Sequence, residues 1–207
     1  MDPLTTSAEE GTSSPMQDAP TSPIREIFSV LIEEELERVV DQYAISVKKH
    51  ASQVSAETVV GMAASAMWDI YKGLELGRLM DKLLPDVLGK VEVIEGDGGV
   101  GTIVKLTFPT GTPGAGYIKE IFKKIDEEKR VRETEMIEGG FKVLGFESYI
   151  IRLEIIEKGG ESSIIKSSIE YEVDDKLANL ASEVTTRPLE IMAEAIGKYL
   201  SNQKASA

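Results

Sequence analysis

Four residues able to do chemistry together stand on runs rich in β-branched side chains: Tyr117, Glu120, Arg132 and Glu147. A carboxylate beside a phenol can carry and steer protons, and a guanidinium can hold an oxygen without giving up its own proton. Gathered in an apolar pocket, such groups orient a small molecule. Strand parity leaves two arrangements open. Arg132, Thr134 and Met136 share one face, while Val131, Glu133, Glu135 and Ile137 share the other. Neither face is purely apolar, so the four residues either converge on an interior or point outward.

A second motif is the glycine run in "IEGDGGVGTIVKLTF", with the spacing Gly96-x-Gly98-x-x-Gly101 of a dinucleotide fingerprint. That fingerprint must open a helix, because the pyrophosphate sits on the helix N-terminus. Here an alternating, β-branched run follows, so the glycines are expected to form a hairpin turn between two strands. Gly101 is followed by Thr102 and Ile103, not by the Lys-Ser/Thr pair that ends a phosphate-binding loop.

Composition removes other chemistries. There are no cysteines, which excludes thiolate metal sites, disulfides and cysteine nucleophiles, and His50 is the single histidine. No metal or cofactor is expected. A net charge of −13 would repel a phosphate backbone, so nucleic acid is a poor partner. No apolar run approaches the ~20 residues of a membrane span. The start of the chain is acidic and polar, unlike a secretory or transit signal, and the expected compartment is the cytosol.

The elements that must position these residues follow from pattern. Residues 1–23 are rich in Ser, Thr, Pro and acids and read as a disordered tail. Residues 24–50 carry Ile27, Val30, Leu31, Leu36, Val39 and Val40 at helical spacing and read as an amphipathic helical extension. Residues 1–50 hold ten acids and four bases, a net of −6, which points to a solvated segment. His50 is expected to be exposed ahead of the domain, which is placed at 51–207. Within it, "VSAETVVGM" suits a strand, and "SAMWDIYKG" and "LELGRLMDKLLP" suit two short helices stopped by Gly73 and Pro85. Trp68 is expected as a core anchor.

Six strands are expected next, over 90–95, 102–108, 117–126, 130–138, 146–157 and 162–173. Their short links can join only antiparallel neighbours. A long apolar-striped helix over 175–201, kinked near Thr185 and Thr186 by Pro188, closes the chain. The order describes an α+β fold: an antiparallel sheet with helices gathered on one side.

The segments "KVEVIEGDGGVGTIVKLTF", "MIEGGF", "SSIIKSSIEYEV" and "TTRPLEIMAEAI" resemble the birch pollen allergen (Bet v 1) family of plant pathogenesis-related class-10 proteins. Among these they resemble especially the norcoclaurine and norbelladine synthases of alkaloid biosynthesis. The resemblance runs from about Val54 to Leu200. It implies a seven-stranded antiparallel sheet wrapped around a long C-terminal helix, with two short helices, enclosing an apolar cavity.

It also implies one of two functions. The first is condensation of an aromatic amine with an aromatic aldehyde, by imine formation or Pictet–Spengler cyclisation. The alternative is a non-catalytic carrier or receptor of small hydrophobic plant metabolites. A monomer or weak dimer is expected. Placed on the family motifs, Tyr117, Glu120 and Arg132 are the catalytic candidates, and Phe122, Met136, Tyr149 and Ile151 line the ligand site. Arg132 stands where the synthases are thought to use a lysine, and Ile151 where the norcoclaurine type has an aspartate. The three-residue step from Tyr117 to Glu120 matches the norbelladine type.

Overall fold

The computed structural model describes residues 32–35, 38, 49–110 and 116–206. The chain divides into two compact units, Met1–Ser46 and Val47–Ala207. In the first, residues 32–35 and 38 are helical and exposed, with Arg38 Nη1 3.4 Å from Glu35 Oε2. The expected tail and most of the expected amphipathic helix lie outside the described residues.

The second unit is built on one seven-stranded antiparallel sheet in the order β1-β7-β6-β5-β4-β3-β2. Its strands are β1 (Lys49–Val60), β2 (Lys90–Glu95), β3 (Ile103–Thr107), β4 (Tyr117–Asp126), β5 (Val131–Gly139), β6 (Phe146–Glu157) and β7 (Ser163–Asp174). Between β1 and β2 run α1 (Ala64–Tyr71), α2 (Glu75–Leu83) and the single turn α3 (Pro85–Leu88). Another single turn, α4 (Gly140–Val143), links β5 to β6, and α5 (Arg187–Ala205) ends the fold. The expected α+β architecture is the observed one.

Three local expectations change. β1 begins at Lys49, so His50 belongs to the sheet. It pairs with Val173 and sits half-buried with its ring 6.3 Å from that of Tyr171. The "EGG" turn contains α4 and is not a bare link. The long terminal helix is two elements: a 3₁₀ helix over Asp175–Glu183, then α5, separated by an extended Val184. Pro188 lies in the first turn of α5, where a missing N–H breaks no helical bond. It therefore opens a helix instead of bending one.

α5 buries Met192, Ala193, Ile196 and Gly197 on one face. It crosses β1 so closely that a Cβ on Gly197 would stand 2.9 Å from Val60 Cγ1. The sheet's opposite limb is tied to α2, where the Val91 amide donates to Asp81 Oδ1 at 2.5 Å. Between these two seams the concave face of the sheet is left partly unfilled by its own helices.

The glycine run is the expected hairpin turn between β2 and β3. Gly96 and Gly98 have φ of +91° and +106°, a region closed to most L-residues. Their backbone wraps Thr102, which is 1% exposed and whose Oγ1 accepts the Gly98 amide at 2.9 Å. The Thr102 carbonyl in turn accepts the Phe122 amide at 2.9 Å, and the Gly101 amide donates to the Phe122 carbonyl at 2.8 Å. The loop thus fixes the middle of β4.

Candidate functional site

A cavity of about 740 Å³ lies between the concave face of the sheet and α2, α3 and the start of α5. Its wall is mostly aliphatic and aromatic, with Leu76, Met80, Leu106, Phe122, Met136 and Ile169 among the lining side chains. Alternation along the strands sets which polar groups enter. On β4, Ile118, Glu120 and Phe122 are buried while Tyr117, Lys119 and Ile121 face away. On β5, Arg132, Thr134 and Met136 point inward, and on β6 Tyr149, Ile151 and Leu153 join them. Pairing sets Glu120 opposite Met136, Phe122 opposite Thr134, and Thr134 opposite Ile151.

Of the expected site residues, the structure brings Glu120, Arg132, Phe122, Met136, Tyr149 and Ile151 to this one cavity. Tyr117 is not among them. It faces the outer side of the sheet, where its hydroxyl donates to Glu138 Oε1 at 2.5 Å, the same carboxylate that Lys119 Nζ meets at 2.6 Å. The reason is parity: three residues along a strand reverse the face. Glu147 is also outside, exposed and paired with Lys49.

Glu120 is 7% exposed. Burial pushes its carboxyl above the ordinary value of 4.5, and the Arg132 charge and the Thr134 hydroxyl pull it partly back. Arg132, 6% exposed, faces the end of α1. Its Nη1 donates to the Tyr71 carbonyl at 2.9 Å and the Gly73 carbonyl at 3.2 Å, and its Cζ lies 4.0 Å from the Phe122 ring centroid. It is a cap on the negative pole of a helix as well as a cavity wall. Burial draws its pKa down to about 10, opposed by Glu120 and Tyr71, so it stays a cation at neutral pH. Its Nε is buried without a hydrogen-bond partner among the described residues.

Sequence reasoning missed Thr134 and the α1 end as parts of the site. Thr134 had a signal, since it shares a strand face with Arg132. The carbonyls of Tyr71 and Gly73 had none, because backbone acceptors leave no trace in residue type. Among the described residues, no group of three or more His, Asp or Glu is placed to hold a metal.

The profile of the pathogenesis-related protein Bet v 1 family matches residues 50–203. The chain belongs to the Bet v 1 family. A Bet v 1 relative, norbelladine synthase from Narcissus pseudonarcissus, is 50% identical over 153 residues, covering 74% of this chain and 94% of that protein. S-norcoclaurine synthase 1 from Papaver somniferum is 43% identical over 154 residues, covering 73% of this chain and 66% of that protein. Among solved Bet v 1 structures, norcoclaurine synthase from Thalictrum flavum in complex with dopamine and hydroxybenzaldehyde aligns with a TM-score of 0.68. The identity is 36%, over 75% of this chain and 90% of that one. The expected family resemblance is therefore a membership, and its sheet, helices and cavity are those of the fold described above.

Proposed function

We propose that this chain condenses an aromatic amine with an aromatic aldehyde in the biosynthesis of plant alkaloids. The observation that carries the reading is Glu120, a buried carboxylate on an otherwise apolar wall with a fixed cation and a hydroxyl beside it. The names of the relatives and the ligands of the Thalictrum structure support it. The cavity suits two flat rings, excluding water from a reaction that must lose water.

The amine nitrogen attacks the aldehyde carbon, and Glu120, made a stronger base by burial, receives the proton that the nitrogen sheds. Arg132 is locked on backbone carbonyls and keeps its proton, so its part is a constant positive field that favours ionised Glu120. Ile151 has no proton to move. That favours imine formation over the proton removals of ring closure. On this reading the protein works as a monomer or weak dimer in the cytosol.

The test is to incubate the purified protein with dopamine or tyramine and hydroxybenzaldehyde, trapping the imine by reduction. Product formed no faster than in buffer sinks the reading. In its place would stand a carrier of hydrophobic metabolites, which the apolar lining and Ile151 favour.

A further inference from the structure

With Tyr117 turned outward, the cavity needs another neutral donor for the aldehyde oxygen. Tyr149 is 4% exposed and lines the cavity. Its ring is held between two others: stacked on Phe141 at 4.8 Å and 11°, and edge-on to Phe146 at 6.3 Å and 67°. That clamp fixes where the hydroxyl points. The hydroxyl makes no hydrogen bond to another described residue, and it lies on the cavity wall within reach of the Glu120 charge.

The β5–β6 register pairs Thr134 with Ile151 and Glu135 with Ile150. Continued by one residue, it sets Met136 beside Tyr149, and Met136 is the partner of Glu120 on its other side. Glu120, Met136 and Tyr149 therefore form one row across three strands, all facing inward. Arg132 competes poorly for the same role, because Nη1 is committed to two carbonyls and the guanidinium lies on Phe122.

We propose that the Tyr149 hydroxyl donates the hydrogen bond that holds and polarises the aldehyde oxygen, while Glu120 across Met136 takes the amine proton. The assignment rests on the condensation reading. As the N–C bond forms, the carbonyl π pair moves onto the oxygen held by Tyr149. Glu120 accepts a proton from nitrogen and returns it to that oxygen, giving the carbinolamine. The nitrogen lone pair then forms C=N as the C–O bond breaks. The departing oxygen takes the Tyr149 proton and leaves as water, and Glu120 takes the remaining N–H proton. Transfer of that proton from Glu120 to the tyrosinate through the released water resets both groups. Burial holds Tyr149 well above the usual phenol range, helped by the charge of Glu120, so it is a protonated donor throughout the working pH range.

The test compares wild type with Tyr149→Phe, which keeps the stacked ring. With dopamine and hydroxybenzaldehyde, kcat is expected to fall by about 100-fold, the loss typical of one such donor, with KM for dopamine within about twofold. Independently of turnover, the infrared carbonyl stretch of bound hydroxybenzaldehyde is expected at lower wavenumber in wild type than in the variant. Fluorotyrosine at 149, a stronger donor of nearly the same shape, is expected to lower it further and carries the test if Tyr149→Phe does not fold.

A Tyr149-dependent stretch without catalysis would overturn the condensation reading and keep the donor assignment. An active wild type whose rate and stretch are unchanged by Tyr149→Phe would overturn the assignment. So would a stretch that ignores fluorotyrosine, a loss that follows Tyr117→Phe instead, or no aldehyde binding at all.

Discussion

At the scale of single residues, the proposed condensation places its proton transfer on Glu120. Removing its charge while keeping its shape, by Glu120→Gln, is expected to lower kcat by about 100-fold or more, the scale of general base catalysis, in the imine-trapping assay. Because burial raises its pKa, the acid limb of the kcat/KM profile is expected above the ordinary 4.5. A limb at or below 4.5 would assign the proton transfer elsewhere. The same shift acts on stability. The folded carboxyl binds its proton more tightly than the unfolded one, so wild type loses stability relative to Glu120→Gln as pH rises from 4.5 to the raised value. Below 4.5 the difference is flat. Unfolding midpoints across that window check it.

Most of this was readable from sequence. Glu120 and Arg132 were identifiable as types on strands, and the parity of Arg132, Thr134 and Met136 is the parity that faces the cavity. Motif spacing points to Tyr117, but a step of three along β4 sets it on the face opposite Glu120, and the structure places it outside the cavity lining.

The elements meet through the α1 end. Arg132 donates to the Tyr71 and Gly73 carbonyls at the end of α1 and its charge offsets Glu120, so Arg132→Met would uncap the helix and raise the cost of the buried carboxylate. The expected loss is about 3 kcal/mol in urea unfolding, the scale of losing hydrogen bonds from a charged group to buried acceptors. The β2–β3 turn is equally constrained. A Cβ at Gly96 would lie 2.5 Å from Thr102 Oγ1 at φ +91°, so Gly96→Ala is expected to cost about 2 kcal/mol and to loosen Phe122, which Thr102 anchors. An unchanged midpoint would show that the loop yields freely. The antiparallel pairing of β2 through β7 was legible because their links are too short for anything else, whereas the place of β1 beside β7 was not, since three helices separate β1 from β2. The split of the terminal helix was not, since a proline reads alike as a kink or as a first turn, and only the packing of α5 on β1 decides which.

At the scale of the molecule, the cavity makes stability depend on what enters it. A cavity ligand at 100 times its Kd should add about 2.7 kcal/mol, seen as a rising thermal midpoint with concentration. Hydroxybenzaldehyde giving no shift would show that the cavity does not accept it. Because Val47–Ala207 is a compact unit whose first strand pairs with β7 from Lys49 onward, deletion of residues 1–46 is expected to leave the midpoint and the ligand shift unaltered. A cut extended beyond Lys49 would begin to strip that pairing.

Arg132 reaches back 61 residues to Tyr71, and Glu127 reaches back 59 to accept the Trp68 indole N–H at 2.6 Å. Both close large loops between α1 and the β4–β5 hairpin, and such closures come late when a chain folds. A chain with β2 to β7 zipped but α1 undocked would hold Glu120 in a half-formed hollow, beside an Arg132 not yet fixed on the Tyr71 and Gly73 carbonyls. In a refolding experiment the capacity to hold ligand would then return only with the slowest phase, after the β2–β7 hairpins have formed, so occupancy of the cavity vouches for a finished fold.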